Sequence, residues 1–154
     1  MQGESTVATV EPVISLNVEG FLPDDYVPEV NQRLALYKRL AGARNDEAVA
    51  ELRDELLDRF GPLPIPAEQL LDTIRIRVAA RDLGVERVEV GDGTALLTFA
   101  PSTSLDAQRL VTTIQKSRGR LKLKREFMVE AAIARGPFPV VRDAVLQLLA
   151  ELPR

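Results

Sequence analysis

Prolines occupy every second position from Pro62 to Pro66, directly after Gly61. Proline lacks a backbone N–H and disfavours helical conformation in the residue before it, so no helix can run through this segment. Proline is tolerated in the first turn of a helix. The segment therefore predicts one helix that ends near Phe60 and a second that begins at Pro66.

Apolar residues recur at helical spacing on both sides of this segment and predict three consecutive helices. The first covers residues 28–43, with Pro28 in its first turn and Gly42 at its end. Its apolar stripe comprises Val30, Leu34, Tyr37 and Ala41, widened by Leu36 and Leu40. The second covers residues 46–60 with Asn45 as N-cap, and the third covers residues 66–83 with Gly84 as C-cap.

The tripeptide Gly91-Asp92-Gly93 favours a tight turn and predicts a hairpin between strands at 85–90 and 94–100. Apolar alternation predicts a further strand at 13–18 and a second hairpin from 121 to 133. A helix at 104–117 with Ser104 as N-cap and a closing helix at 139–152 complete the pattern. The order predicts a single α+β domain at 12–154, with an antiparallel or mixed sheet of hairpins packed with about five helices. Residues 1–11 are predicted to be a mobile tail.

The chain of 154 residues contains no cysteine and no histidine. Disulfides, thiolate nucleophiles, Cys/His zinc sites and Ser-His-Asp triads are thereby excluded. The sequence has no glycine-rich phosphate loop. It has two clusters of carboxylates, Asp24 with Asp25 and Asp54 with Glu55 and Asp58, and neither has the spacing of a calcium loop. We therefore predict no catalytic, cofactor-binding or metal site. No signal peptide or membrane-length apolar run is present, which favours a cytoplasmic protein without a membrane partner.

Four carboxylates share one face of the second predicted helix: Glu51, Asp54, Glu55 and Asp58. The opposite face carries Val49, Leu52, Leu56 and Phe60. Such a stripe is usually a solvated surface. Two details favour a partner-binding surface instead: among the four, only Glu55 has a basic residue at i+4, and Asp58 lies near the helix C-terminus, where the macrodipole disfavours an anion.

A basic run, residues 116–125, follows the fourth predicted helix. Its cations are Lys116, Arg118, Arg120, Lys122, Lys124 and Arg125. The run could follow a phosphate backbone, which makes a DNA-contacting domain the alternative function. It lacks interleaved aromatic residues for base stacking, and alternation with Leu121 and Leu123 is also typical of a strand with a charged outer face. The net charge of −3 argues against a dedicated nucleic-acid binder.

Three blocks of sequence together resemble the C-terminal domain of bacterial transcription-repair coupling factors, the Mfd family. They are residues 22–28 (Leu-Pro-Asp-Asp-Tyr-Val-Pro), residues 31–39 (Asn-Gln-Arg-Leu-Ala-Leu-Tyr-Lys-Arg) and residues 55–64 (Glu-Leu-Leu-Asp-Arg-Phe-Gly-Pro-Leu-Pro). The blocks occur in the family's order, and the resemblance extends from about residue 13 to about residue 100.

This resemblance implies a regulatory role within an ATP-driven DNA translocase that displaces stalled RNA polymerase and recruits the repair subunit UvrA. It implies that the domain packs on the UvrB-like module of its own parent chain, masks the UvrA-binding surface and represses the motor. It also implies that Glu55 and Asp58 face arginines of that module. The motor and the polymerase-binding domain would lie elsewhere in the parent, so the implied partners of this chain are intramolecular, and UvrA, RNA polymerase and DNA are reached through the parent.

Overall fold

A computed structural model describes residues 11–125 and 127–153, which form a five-stranded sheet packed with five helices. The elements in chain order are β1 (Val13–Ser15), α1 (Val30–Ala41), α2 (Asp46–Phe60), α3 (Ile65–Leu83), β2 (Val85–Val90), β3 (Thr94–Phe99), α4 (Ala107–Lys116), β4 (Leu121–Arg125), β5 (Met128–Ala132) and α5 (Phe138–Glu151). The α+β class and the predicted order of elements are confirmed. The predicted tail lies outside the described residues except for Glu11, which accepts a hydrogen bond from Arg81 at 3.1 Å; its mobility stays a prediction.

The sheet is mixed, with strand order β1-β2-β3-β5-β4. β1 runs parallel to β2, and the other three pairings are antiparallel. The predicted turn between β2 and β3 is present, and Gly93 adopts φ 79°, a left-handed conformation that glycine adopts without strain. This order leaves β4, the strand of the basic run, at one edge of the sheet.

Helix α3 belongs to two hydrophobic clusters at once. Its first half contributes Leu71 and Ile74 to a cluster formed with α1 and α2. Its second half contributes Ile76, Ala80 and Leu83 to the cluster beneath the sheet and α5. A helix that is apolar around most of its circumference is buried on several sides, and α3 accordingly joins the helical part of the domain to the sheet.

Asp72 of α3 is the one buried charged residue in the described part of the chain. It accepts a hydrogen bond from Arg142 of α5 at 2.9 Å, and Arg142 also donates to Asp143 at 2.9 Å. The hydrogen bonds to Asp143 and Asp72 raise the pKa of Arg142 above its usual range. A buried carboxylate requires such a partner, and this pair fixes α5 against α3.

The segment between β1 and α1 crosses directly over α3. A side chain at Gly20 would place its Cβ 2.2 Å from the backbone nitrogen of Leu70, so only glycine fits this crossing. Beside it, the N–H of Phe21 donates to the carbonyl of Pro66 at 3.0 Å. The crossing holds residues 20–21 against the helical part of the domain while β1 stays in the sheet.

Helix α1 differs from its prediction in its start and in its buried face. It begins at Val30, because Glu29 caps it by accepting from the N–H groups of Asn31 and Gln32, and Pro28 lies outside. The buried residues are Leu36 and Leu40, whereas Val30 is exposed and Leu34 is 60% exposed. The predicted Val30/Leu34 stripe was therefore wrong.

Three further boundaries also moved. Asp106, not Ser104, caps α4, since its carboxylate accepts from the N–H of Arg109 at 3.0 Å, while the Ser104 hydroxyl donates to the carbonyl of Asp82 at 3.4 Å. The strand predicted at 13–18 ends at Ser15, because pairing with β2 covers only three residues. Helix α3 begins at Ile65, one residue before the predicted start at Pro66.

A candidate interaction surface on helix α2

Helix α2 has the two faces that its sequence predicts. Asn45 caps it by accepting from the N–H of Ala48 at 2.8 Å, and Gly61, at φ 89°, ends it. Val49, Leu52 and Leu56 are buried against α3 and α1. The four carboxylates consequently project on the opposite side of the helix, which defines the acidic face of α2: Glu51, Asp54, Glu55 and Asp58.

Phe60 and Tyr26 fix the end of α2. Their ring centroids are 5.8 Å apart at an interplanar angle of 55°, and the Arg59 guanidinium lies 5.1 Å from the centroid of Phe60. The Tyr26 hydroxyl donates to the carbonyl of Gly61 at 2.8 Å, and burial raises the pKa of this tyrosine. Phe60 packs against the helical cluster while remaining only partly buried, so the acidic face is held on a fixed helix end.

Glu55 already has cationic partners within the domain. Arg39 of α1 binds it with two parallel hydrogen bonds of 2.8 and 2.9 Å, and Arg59 donates a third at 2.9 Å. These bonds, that from Arg39 first, lower the pKa of Glu55 to about 2. A bidentate arginine–carboxylate pair is the strongest common form of such a contact, so Glu55 ties α1 to α2.

The other three carboxylates of the acidic face differ from Glu55. Within the described part of the chain, Glu51, Asp54 and Asp58 make no ion pair within 4.0 Å, although the charge of Glu51 contributes to raising the pKa of Arg39. Asp54 and Asp58 are spaced i, i+4, a like-charge arrangement that costs isolated helices about 0.2–0.5 kcal/mol. The helix therefore carries an uncompensated pair of negative charges.

Leu57 lies on the same side as this uncompensated pair. Its side chain is 44% exposed, and with Asp54, Glu55 and Asp58 it lines an open depression of about 790 Å³. A long cationic side chain can cover such a residue, because an arginine buries its methylene stem along apolar surface while its charged head stays accessible to a carboxylate. The depression is thus lined by one apolar side chain and three carboxylates.

Arg39 and Leu57 were not predicted as part of this surface. The i+4 spacing identifies the Arg59 contact with Glu55, but Arg39 lies on another helix, and no local pattern reveals that α1 and α2 place it there. The exposure of Leu57 could have been read from its position, since it falls outside the Val49, Leu52 and Leu56 stripe.

The basic run lies away from this surface. α2 packs on α3, and α3 packs on β1 and β2, whereas β4 is at the opposite edge of the sheet beside α4. Arg120 pairs with Glu151 at 2.7 Å, and Lys124 approaches Glu130 at 4.0 Å. The acidic face and the basic run therefore lie on separate elements of the domain.

Residues 11–125 and 127–153 contain no group of three or more acidic, histidine or cysteine side chains arranged to hold a metal ion. Over the same residues, none of the helices combines the length and apolar character needed to cross a membrane.

Comparison with known proteins assigns the chain to a family. The family model described as TRCF domain matches residues 16–110. The transcription-repair-coupling factor of Myxococcus xanthus is 34% identical over 137 residues, which are 89% of this chain and 11% of that protein. The transcription-repair-coupling factor of Escherichia coli K12 is 37% identical over 110 residues, which are 71% of this chain and 10% of that protein. A crystal structure of the C-terminal domain of transcription-repair coupling factor has the same fold, with a TM-score of 0.77 at 22% identity, covering 95% of this chain and 96% of that one.

The chain belongs to the TRCF-domain family. Within it, the chain is the counterpart of the C-terminal domain of bacterial transcription-repair coupling factors, as the three sequence blocks predicted. Sequence similarity continues past residue 100, since the family model reaches residue 110 and the Myxococcus xanthus protein aligns over 137 residues, and the structural likeness covers 95% of the chain. The chain spans about a tenth of the length of the curated relatives it matches.

Proposed function

We propose that this chain is a regulatory, non-catalytic interaction domain of a cytoplasmic transcription-repair coupling factor. It packs on the UvrB-like module of its parent, masks the surface that UvrA binds and holds the motor in a repressed state. UvrA, RNA polymerase and DNA are then partners of the parent rather than direct ligands of the acidic face. Membership of the TRCF-domain family supports this proposal.

The observation that carries the proposal is the uncompensated pair Asp54 and Asp58 beside the exposed Leu57. An arginine of the partner can place its stem on Leu57 and its guanidinium between the two carboxylates. This removes the like-charge repulsion that the free helix bears and forms charge-assisted hydrogen bonds. Repulsion within the free domain becomes attraction at the interface.

Glu55 contributes differently to docking. Because Arg39 and Arg59 occupy both of its oxygens, a bidentate contact with a partner arginine requires Arg39 to move away. Asp54 and Asp58 need no such exchange. We therefore propose that these two aspartates receive the partner first, that Glu51 adds longer-range attraction, and that Glu55 exchanges Arg39 for a partner arginine in the closed parent.

Binding in trans between this chain and the UvrB-like module of its parent tests the proposal. Asp54→Arg with Asp58→Arg should weaken binding by about 2–5 kcal/mol per lost pair if the interface is partly desolvated. Glu86→Arg with Asp92→Arg is the matched control, since it makes the same charge change at exposed positions of the β2–β3 hairpin, which belongs to the sheet. Equal affinity of the two double variants would reject the acidic face as the docking surface.

A second experiment uses the parent protein. Asp54→Arg with Asp58→Arg should raise UvrA binding and basal ATPase activity, because it shifts the population from the closed to the open state. An arginine-to-glutamate change on the UvrB-like module should restore closure, which separates a specific pair from a general charge effect. A parent that lacks this domain but retains wild-type UvrA affinity and ATPase activity would contradict the clamp.

A further inference from the structure

We propose that β4 and the turns on either side of it form a second surface, which binds the phosphate backbone of duplex DNA. This surface is independent of the acidic face of α2 and is not used by the clamp. It consists of residues 116–125 with the exposed ring of Phe127, and we call it the basic edge.

The composition of the basic edge is unusual for this chain. Six of the ten residues from 116 to 125 are basic and none is acidic, and Glu126 is the one acidic residue between this run and Phe127, although the whole chain has a net charge of −3. The fold keeps these charges together, because they lie at the end of α4, in the following turn and along one edge strand. A local excess of positive charge on one side of an acidic domain creates a field that attracts polyanions.

Most of these cations are available. Residues 122–125 are all exposed. Among the described residues, Lys116, Arg118 and Lys122 form no ion pair within 4.0 Å, and Lys124 only approaches Glu130 at that distance. Arg120, which pairs with Glu151 at 2.7 Å, is the exception. Phosphates could therefore be neutralised without first breaking strong internal pairs.

The shape of the edge argues against pairing with another strand. Lysines and irregular pairing are features that discourage edge-to-edge strand addition, and β4 has both, with a register shift against β5 between Leu123 and Arg125. The left-handed Arg118, at φ 55°, also turns the chain immediately before the strand. An acidic β-strand of another protein is therefore disfavoured relative to a polyanion that needs only charge.

The single exposed ring selects duplex over single-stranded DNA. Phe127 is 41% exposed at the β4–β5 turn, and it is held by a hydrogen bond of 2.7 Å from the N–H of Phe99 to its carbonyl. Proteins that bind single strands generally stack several bases on several aromatic side chains. One ring beside many cations is better suited to a duplex, whose bases are already stacked and whose phosphates face outward.

The test measures binding of the 154-residue chain to a labelled duplex of about 20 base pairs by fluorescence anisotropy, from about 50 to about 200 mM salt. With about four phosphate contacts, the logarithm of the binding constant should fall with the logarithm of salt at a slope of about −4. Lys122→Gln with Lys124→Gln should reduce that slope by about 2 and weaken binding on the order of tenfold at the lower salt.

Lys38→Gln with Arg44→Gln is the matched control. Both residues are exposed, both lie away from β4, and the change in net charge is identical. The control should bind DNA with the slope of the unaltered chain. Equal losses in the two double variants would show that net charge alone governs binding and would overturn the proposal.

Two other results would also overturn it. One is the absence of duplex binding at the lowest salt with folded protein. The other is displacement of the duplex by polyglutamate at equal concentrations of charge, which would identify the basic edge as a site for an acidic protein. Stronger binding of a single strand than of the duplex, with a large loss in Phe127→Ala, would replace the duplex by single-stranded nucleic acid and reject the proposal in this form.

Discussion

The acidic face of α2 and the basic edge are alike in one respect, since each concentrates one sign of charge in a short segment. They differ in how many of their charges have ion-pair partners within the domain. On α2, the most central carboxylate is neutralised by two arginines, which leaves Asp54 and Asp58 as the uncompensated pair. On the basic edge, the cations are exposed, and among the described residues only Arg120 has an ion-pair partner closer than 4.0 Å. The comparison teaches that a charge run does not show which of its charges are available to a partner.

The largest expected effect separates anchoring from exposed residues in both regions. Leu56→Ala in α2 and Leu121→Ala in β4 should each lower the free energy of unfolding by about 2–5 kcal/mol, because both side chains are buried. Leu57→Ala and Leu123→Ala should change it by less than about 0.5 kcal/mol. Urea denaturation of the four variants measures this difference, and a large loss in either exposed variant would mean that the region is packed differently.

Phe60→Ala should have a somewhat smaller effect, on the order of 2–3 kcal/mol. The value lies below the range for a fully buried phenylalanine because Phe60 is only partly buried. The loss includes the contacts with Tyr26 and Arg59. A loss below about 1 kcal/mol in thermal or urea unfolding would show that the end of α2 is anchored by the backbone hydrogen bonds alone.

The pH dependence of stability distinguishes Glu55 from the other carboxylates of its face. Its pKa is about 2 in the folded domain against an ordinary value of 4.5, so the folded state binds this proton less readily than the unfolded state. The resulting stabilisation is fully present above about pH 4.5 and is lost as the pH falls towards 2. Because the pair is partly exposed, we expect no more than about 1 kcal/mol.

Urea unfolding at pH 6 and at lower pH, for the unaltered chain and for Glu55→Gln, measures this contribution. The difference between the two proteins should shrink as the pH falls through the folded pKa of Glu55. A difference that stays constant with pH would show that the Arg39 and Arg59 contacts do not stabilise the domain through the charge of Glu55.

The smallest expected effect has the opposite sign. Asp58→Asn should stabilise the domain by a few tenths of a kcal/mol, since it removes the repulsion with Asp54 and an anion near the helix C-terminus. High salt should abolish the gain. A loss of stability in Asp58→Asn would mean that Asp58 has a structural partner.

Lys122→Gln on the basic edge should leave the free energy of unfolding unchanged, because Lys122 makes no close pair among the described residues.

Local patterns predicted the elements well and the tertiary contacts poorly. Proline and glycine positions define the ends of α2 and α3 and the β2–β3 turn, because these residues restrict or release the backbone wherever they occur. The buried side of α1 was mispredicted because two apolar stripes overlap on that helix, and only its packing on α3 selects Leu36 and Leu40. The cap of α4 was misplaced because Ser104 and Asp106 are both good capping residues.

The candidate site shows the same division. The amphipathic spacing of α2 placed Glu51, Asp54, Glu55 and Asp58 on one face, and the structure agrees. The partner of Glu55 across the helix pair, Arg39, depends on how α1 lies beside α2 and has no signal at short range. Sequence therefore predicted where the carboxylates project, while only the fold distinguishes the neutralised carboxylate from the uncompensated pair.

The pairing of β1 with β2 also has a kinetic consequence. Val13 pairs with Arg87, so this strand emerges from the ribosome well before its partner, and α1, α2 and α3 are all made in the interval. Contacts between residues distant in sequence close slowly, whereas the three helices need mainly local contacts. Parallel pairing of β1, with Gly20 crossing α3, is therefore expected late in folding, and we expect the edge of β2 to be covered only at that step.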